Sequence, residues 1–338
     1  MNNFLKDIFI HIDGVVMAPA YELMSKSEAF NRNKVINPNS KSYGAYAHVL
    51  CKILSSQKLL KLKAGDSNQF VWTELGKAVL QNRKNFRGIR NYYLSAINIL
   101  EGYVKPSNVD FSQIVHNFTK ITQSYGSKSV ITKHFEGAII TPILIYFSKT
   151  KNMDTLYLKL TSEFDNSLIN FMKDIDFISQ KKISEKGKYF FSKSYAYGVT
   201  SSYLRTLVQI EELCFNPETI GCLDKVHVSK RLKPKPKNTE NHVDRALNVW
   251  GSGKSHKTYF KYIDEYIEYI FNLPIKNQPK GIADMGCGDG SFLLHLFNLI
   301  KYRTIRGKML KSYPITLIGA DYNQAALDQT KITLRFTK

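Results

Sequence analysis

The segment Gly281-Ile-Ala-Asp-Met-Gly-Cys-Gly-Asp-Gly-Ser-Phe-Leu293 decides the fold of the C-terminal part of this chain of 338 residues. Its pattern is that of a short buried strand that turns through Gly286, Gly288 and Gly290 directly into a helix starting near Ser291. Glycine permits positive φ and leaves no Cβ between the backbone and a ligand, and the first N–H groups of the helix point at the turn. The segment therefore predicts a place where bare backbone meets a nucleotide-like ligand.

The acid at the end of the strand, Asp284, distinguishes this turn from a dinucleotide-binding turn. The pattern is D-x-G-x-G-x-G rather than G-x-G-x-x-G. A carboxylate at this position repels a pyrophosphate, but it accepts hydrogen bonds from the ammonium group of an amino acid. The residues favour S-adenosylmethionine (SAM) over NAD.

A second apolar run, Pro314–Asn323, also ends in an acid, Asp321. A carboxylate there can accept hydrogen bonds from both hydroxyls of a ribose. The order of strand, glycine turn, helix, strand and acid predicts the first half of a βαβ arrangement of the Rossmann type.

Over residues 279–332 the chain resembles the class I SAM-dependent methyltransferases, in which a three-glycine turn with an acid is followed by an acid at the end of the next strand. The resemblance implies that the turn holds the methionine end of SAM and that the second acid holds its ribose. The cofactor contacts that it implies in these motifs are Asp284, Gly286, Gly288, Gly290, Asp321 and Tyr322.

The segment before the turn, His242–Phe260, carries the pattern N-V-W-G-S-G-x-x-H-x-x-Y-F. Together with the glycine turn, this pattern resembles the methyltransferase modules of bacterial polyketide synthases, and most closely the metal-dependent C-methyltransferases of loading modules. The residues of this segment predict a small flexible turn near several hydrogen-bonding side chains. The resemblance implies that the segment folds over cofactor and substrate, which adds Ser252 and Gly253 to the cofactor contacts. It also implies a small-molecule acceptor or an acyl group on a carrier protein.

Methylation of a carbon acid requires removal of a proton, by a base or with help from a metal that stabilises the enolate. His256, as base or hydrogen-bonding group, and Tyr259 beside it are the catalytic candidates. The residues do not separate C-methylation from O- or N-methylation. Arg303 and Arg306, between the two predicted strands, are expected at the surface.

A complete class I domain has more strands than the two predicted here, and the chain ends one helix after the second. We therefore expect a truncated or split methyltransferase with little activity alone. A missing C-terminal partner and the ligands of any divalent metal would then lie beyond Lys338.

In the N-terminal part, residues 42–80 show a helix, a hairpin and a second helix, which predicts a winged-helix-like unit. The helix before the hairpin is mainly apolar, with His48 and Lys52 as its polar candidates, so packing as a lid or homodimerisation region is favoured over DNA binding. Residues 181–213 repeat this layout too faintly to define a repeat. One helix is expected over residues 197–213, capped by Thr200 or Ser201.

The predicted fold class is α/β: a mainly helical region with a winged-helix-like unit at 1–226, a basic proline-containing linker at 227–242, and the first half of a Rossmann-like SAM methyltransferase domain at 243–338. A formal charge of +20 comes mostly from lysine, which indicates general surface basicity rather than a nucleic-acid partner, although an anionic or acidic partner stays open.

The longest apolar stretch, 137–147, is too short to cross a bilayer, and His11 and Asp13 interrupt the apolar N-terminus. No membrane partner and a cytoplasmic location are therefore expected. The alternatives in other functional classes are a winged-helix nucleic-acid-binding protein with a vestigial cofactor fold, and a scaffold that docks a carrier protein.

Overall fold

The structure, a computed structural model, describes residues 3–26, 36–39, 44, 46–216, 232 and 240–337. The chain divides into two compact units, Met1–Val243 and Asp244–Lys338. Most of the predicted linker at 227–242 lies outside the described residues.

The first unit is mainly helical. Its longer helices are α1 (Asn3–Lys26), α2 (Ala47–Ser56), α3 (Glu74–Gln81), α4 (Ile89–Leu100), α5 (Ser112–Tyr125), α6 (Val130–Tyr146), α7 (Met153–Glu163), α8 (Asn166–Asp174) and α9 (Glu185–Ser192).

The core of this unit is built around α1 and α6, which pack along each other. α6 is apolar on nearly all sides, and almost every residue between Ile131 and Ile145 is buried, as expected for an interior helix. α1 is long and apolar enough, over Phe4–Ser25, to cross a membrane by length and composition alone. Because 72% of its most apolar window is buried inside the protein, α1 is a core helix of this unit.

Two short antiparallel hairpins each lie between two helices. Strand β1 (Leu60–Lys63) pairs with β2 (Asp66–Trp72) between α2 and α3. Strand β3 (Ile178–Ser179) pairs with β4 (Lys182–Ile183) between α8 and α9. The predicted helix–hairpin–helix arrangement within 42–80 is therefore present, and the same arrangement occurs a second time.

The single helix predicted over 197–213 is wrong. The structure has three short helices there, α10 (Gly198–Ser201), α11 (Leu204–Leu207) and α12 (Ile210–Phe215). Neither Thr200 nor Ser201 is an N-cap, because both lie within α10. The Ser202 hydroxyl donates to the carbonyl oxygen of Val199 at 2.6 Å, an example of the local hydrogen bonding by which serine competes with a continuous helix.

The second unit contains α13 (Arg245–Phe260), α14 (Asp264–Asn272), β5 (Gly281–Met285), α15 (Ser291–Arg303), α16 (Ile305–Lys308), β6 (Thr316–Ala320) and α17 (Gln324–Thr333). Strands β5 and β6 are parallel, with Gly281 opposite Thr316 and Met285 opposite Ala320. Helices α14 and α15 pack together through a buried apolar cluster of Ile267, Phe271, Leu296, Leu299 and Ile300. This strand–helix–strand arrangement confirms the first half of a Rossmann-like fold.

The prediction of a turn around Ser252 and Gly253 is wrong, because both residues lie inside the continuous helix α13. The Asp244 side chain caps this helix by accepting a hydrogen bond of 3.0 Å from the N–H of Leu247. Helical packing overrides the weak helix propensity of the two glycines, Gly251 and Gly253.

Arg306, expected at the surface, is only 3% exposed. Its guanidinium donates to the carbonyl oxygens of Tyr313 and Pro314 and to Oε1 of Gln278. These acceptors compensate for the cost of burying the guanidinium charge. Because two of them are backbone carbonyls just before β6, Arg306 holds the connection into β6 in place. Arg303, by contrast, is exposed and pairs with Glu268 at 3.2 Å.

Candidate functional site

The turn between β5 and α15 contains three glycines with positive φ. The angles are 85° at Gly286, 57° at Gly288 and 73° at Gly290. A Cβ at Gly286 or Gly288 would meet nothing within 4 Å, so glycine is favoured at these two positions by backbone conformation and not by crowding. A Cβ at Gly290 would also lie 2.9 Å from the Thr330 side chain, so this glycine permits close packing of α17.

The turn is held against the end of β6. The N–H groups of Gly286 and Cys287 both donate to the carbonyl oxygen of Ala320, at 2.7 and 3.0 Å. The N–H of Gly288 donates to Oδ2 of Asp321 at 3.0 Å. The two predicted motifs, the glycine turn and the second acid, therefore form one connected structure at the carboxyl ends of adjacent parallel strands, which is where ligands bind in open α/β sheets.

A cavity of about 490 Å³ lies beside the turn. This volume is within the range of roughly 300–1,000 Å³ for small-molecule sites. Seven of the ten predicted site residues line the cavity: Ser252, Gly253, His256 and Tyr259 from α13, and Asp284, Gly286 and Gly288 from the turn.

The other three predicted residues lie outside the cavity wall. Gly290 is part of the turn but faces Thr330. Asp321 reaches the wall through its hydrogen bond to Gly288, and Tyr322 is fully exposed.

Asp289 lines the cavity and was not among the predicted residues. Its Oδ1 accepts a hydrogen bond of 3.0 Å from the N–H of Ser291 at the start of α15. A Cβ on Gly253 would lie 2.8 Å from its Oδ2, so α13 approaches this carboxylate closely because residue 253 has no side chain. The signal in the sequence was an acid placed between two glycines of the turn.

An aromatic pair forms part of the apolar wall. The rings of Phe260 and Phe292 both line the cavity, with centroids 4.9 Å apart. Such a surface suits the packing of a flat ring, such as a nucleobase, against one side of the cavity.

The charge at this site is negative. Asp284 and Asp289 line the cavity, and among the described residues no lysine or arginine does. Partial burial, and then the neighbouring carboxylate of Asp321, raise the pKa of Asp284. The charge of a positively charged ligand would favour the ionised form of Asp284.

The described residues contain no group of three or more His, Cys, Asp or Glu side chains arranged to hold a metal ion. The site within these residues is therefore built from backbone groups, two carboxylates, one imidazole and aromatic side chains.

Two protein-family models match the chain. The model of the AprA MT2-like domain matches residues 240–338, and the model of the AprA winged helix domain matches residues 136–217. No curated protein matches the chain.

The matches confirm the predicted resemblance and the fold class. They also place a winged helix around the second hairpin, whereas the sequence placed it at 42–80. Together the two matches show that this chain resembles a polyketide-synthase-associated methyltransferase of the AprA type, with similarity to its winged helix domain at 136–217 and to its MT2-like methyltransferase domain at 240–338.

Proposed function

We propose that the cavity beside the glycine turn binds SAM and that the protein transfers the methyl group to a carbon acid, such as the α-carbon of an acyl or polyketide thioester. One observation carries this proposal: a single cavity combines the glycine turn with two carboxylates and a histidine. The cofactor identity and the acceptor go beyond the family match, which supports a methyltransferase.

The charge of the cavity fits SAM. This cofactor carries an ammonium group and a sulfonium group, both positive, and Asp284 and Asp289 are the carboxylates that would face them. The N–H of Gly288 is already bonded to Asp321, whose remaining lone pairs are available for ribose hydroxyls. Phe260 and Phe292 would pack against the adenine.

SAM supplies an electrophilic methyl group, and on transfer the carbon–sulfur bond breaks with its electron pair left on sulfur while a bond forms to the acceptor carbon. The chain must therefore orient the acceptor and remove its α-proton. His256 lines the cavity and is exposed, so we assign it as the base that takes this proton. Tyr259, 62% exposed on the next turn of α13, is positioned to hydrogen-bond the acceptor.

The acceptor would enter from the side of the cavity on which His256 and Tyr259 are exposed. An opening of this kind is compatible with a thioester carried on a long arm, either as a small molecule or on a carrier protein. Methyl transfer to oxygen or nitrogen of a small molecule is the alternative. Such an atom already has a lone pair, so its methylation does not require removal of a proton from carbon.

A further part of the proposal concerns the outer face of the sheet. Met285, the last residue of β5, and Ile318, in the middle of β6, are 80% and 54% exposed. Large apolar side chains at such positions are suited to being covered by more protein. We propose that the 338 residues bind SAM but transfer methyl groups slowly unless this face is covered.

Titration calorimetry tests the cofactor site. We expect binding of SAM, weaker binding of S-adenosylhomocysteine, which lacks the positive charge at sulfur, and a loss of this preference in Asp284→Asn and Asp289→Asn. Asp328→Asn, an exposed acid on α17, is the matched control and should bind like the parent protein. Absence of SAM binding by the parent protein would refute the proposal.

The acceptor is tested separately with SAM labelled in its methyl group. We expect label transfer to a β-ketoacyl or malonyl thioester to depend on His256, with His256→Gln retaining SAM binding but losing at least about tenfold in rate. Equal rates for His256→Gln and the parent protein would exclude a base at this position.

A further inference from the structure

The two helices at the centre of the first unit carry the same sequence pattern. His11–Pro19 in α1 reads H-I-D-G-V-V-M-A-P, and His134–Pro142 in α6 reads H-F-E-G-A-I-I-T-P. Histidine, an acid, glycine and proline recur at the same four positions of the two segments. A shared hydrophobic periodicity does not require these four residue types, so the pattern indicates a relationship between the helices themselves.

The structure places the two patterns in reciprocal contact. A Cβ built on Gly14 would collide with the backbone of His134, and a Cβ built on Gly137 would collide with the backbone of His11. Each helix therefore presents its glycine to the histidine of the other helix. This exchange of equivalent contacts is the arrangement of an isologous, two-fold interface.

The turn before each hairpin is also the same. Lys58 and Asp176 both adopt the left-handed conformation, with φ of 61° and 60°. The hydroxyl of Thr73 donates to the carbonyl oxygen of Lys58 at 2.6 Å, and the hydroxyl of Ser184 donates to that of Asp176 at 2.6 Å.

The helix after each hairpin repeats the sequence and the cap. Thr73–Leu80 reads T-E-L-G-K-A-V-L and Ser184–Phe191 reads S-E-K-G-K-Y-F-F. The Thr73 hydroxyl accepts from the N–H of Gly76 at 3.1 Å, and the Ser184 hydroxyl accepts from the N–H of Gly187 at 3.0 Å. Both glycines are buried against a backbone carbonyl of the preceding turn.

Each residue of the last equivalent pair contacts the helix, α1 or α6, that carries the other pattern. Phe86 lies thirteen positions after the capping residue Thr73, and Tyr197 lies thirteen positions after Ser184. Both aromatic side chains are fully buried. The ring of Phe86 contacts the ring of Phe135 in α6, with centroids 6.2 Å apart. The hydroxyl of Tyr197 lies 3.3 Å from Nδ1 of His11 in α1.

We infer that the described residues between 3 and 86 belong to a second winged-helix unit, duplicated from the same ancestor as residues 130–197, and that the α1–α6 crossing is a two-fold interface between copies now held within one chain. The family match to the winged helix covers 136–217 and leaves the first copy unassigned. The partner that this face fits is a copy of the same unit. Since the chain already supplies that copy, the face is closed to a second chain.

Segment exchange in the full chain tests the inference. In the first variant residues 11–19 are replaced by H-F-E-G-A-I-I-T-P, in the second residues 134–142 are replaced by H-I-D-G-V-V-M-A-P, and the third carries both changes. Circular dichroism melts give the Tm of each. We expect the double exchange to lose clearly less than the sum of the two single losses, because it restores the original pairs at the crossing.

The matched control is a double exchange with both replaced segments shifted by one residue, so that the glycines leave the crossing. We expect this control to melt well below the in-register exchange. Additive losses, or equal melting of the in-register and shifted chains, would overturn the inference.

Point substitutions decide the question if the exchanged chains do not fold. Gly14→Ala and Gly137→Ala should each lower Tm by about 5 °C or more and by similar amounts. Thr73→Ser and Ser184→Thr should each leave Tm within about 2 °C, because either hydroxyl makes the same two bonds. Tolerance of one glycine substitution but not of the other contradicts equivalent positions.

Discussion

The backbone N–H of Gly288 donates a hydrogen bond of 3.0 Å to Oδ2 of Asp321, which joins the glycine turn after β5 to the acid after β6. The other carboxylate oxygen, Oδ1, accepts from the N–H of Asn323 at 2.8 Å. Asp321 therefore shapes the cofactor turn in addition to the ribose contact that we propose for it. Structure and binding are coupled at this residue.

Replacing Asp321 should weaken the second unit and the cofactor site together. Asp321→Ala leaves two backbone N–H groups without their acceptor, so we expect a loss of about 1–3 kcal/mol in the free energy of unfolding, and Asp321→Asn should lose less because it keeps one oxygen. Urea denaturation followed by circular dichroism measures this loss. Asp328→Ala is the control, and an equal loss in both alanine variants would contradict the role of the carboxylate.

The glycines of the turn should separate binding from stability. Gly288 lines the cavity and has free space around its Cβ position, so Gly288→Ala should reduce SAM affinity with a stability cost of about 1 kcal/mol from its positive φ. Gly290→Ala adds a clash with Thr330 and should cost more stability. Calorimetry and urea denaturation on both variants test this ranking, and a larger stability loss in Gly288→Ala would reverse it.

Cofactor binding should weaken on acidification. Burial and the Asp321 carboxylate raise the pKa of Asp284, so this group becomes protonated at a higher pH than an ordinary aspartate and then no longer attracts a cation. We expect the Kd for SAM to rise as pH falls through this raised pKa. In Asp284→Asn the Kd should be higher at neutral pH and vary less with pH, and an unchanged pH profile would exclude Asp284 as the responsible group.

The pH dependence that Asp284 gives to the stability of the protein is opposite to the one that it gives to SAM binding. Because the folded state holds the Asp284 proton more tightly than the unfolded state, this group stabilises the unliganded protein below pH 3.8, and the contribution is lost as pH rises through the raised pKa. Unliganded Asp284→Asn should therefore be at least as stable as the parent protein at neutral pH.

The first unit should lose stability between pH 6.5 and pH 4. Burial, and then the neighbouring His11, lower the pKa of His134 from 6.5 to about 4, so the unfolded chain takes up a proton in this range before the folded chain does. This pKa difference corresponds to a loss of roughly 3 kcal/mol in the free energy of unfolding between pH 6.5 and pH 4, and to no loss above pH 6.5. Denaturation curves recorded across this pH range give the slope of the free energy of unfolding against pH.

His134→Gln should flatten this slope, since glutamine does not titrate and can still accept from the Tyr21 hydroxyl, which lies 2.9 Å from Nδ1 of His134. His116→Gln, at an exposed position of α5, is the matched control and should keep the slope of the parent protein. A slope that survives in His134→Gln would assign the pH dependence to other groups.

The glycine turn after β5 was predictable from sequence because the residue types that it needs depend on local backbone conformation. Positive φ at Gly286 and Gly288 favours glycine whatever surrounds it, and Asp284 follows from its place at the end of β5. Asp289 was missed because its position in the cavity depends on α13, which approaches it through Gly253. Its place between two glycines marks Asp289 as a residue of the turn, but the approach of a distant helix cannot be inferred from that local pattern.

Two other segments also take a structure that their local residues do not indicate. Gly251-Ser252-Gly253 has the composition of a turn, yet tertiary contacts keep it helical. Arg306 was assigned to the surface because arginine is mostly exposed, and its three acceptors become apparent only when the connection into β6 is folded.

The duplication was hidden by unequal hairpins. Thr73 follows Leu59 by fourteen positions, whereas Ser184 follows Phe177 by seven, so no single offset aligns the two copies. The four shared residue types lie in α1 and α6, outside the segments 42–80 and 181–213 in which the sequence shows the helix–hairpin layout. The relationship becomes clear when the hydrogen bonds of the two turns are compared.

The contacts of Phe86 with Phe135 and of Tyr197 with His11 mean that neither winged-helix unit has a complete interior of its own. Each borrows part of its core from the central helix of the other. The pair should consequently melt as one cooperative block, with the amide hydrogens of α1 and α6 exchanging at the same slow rate.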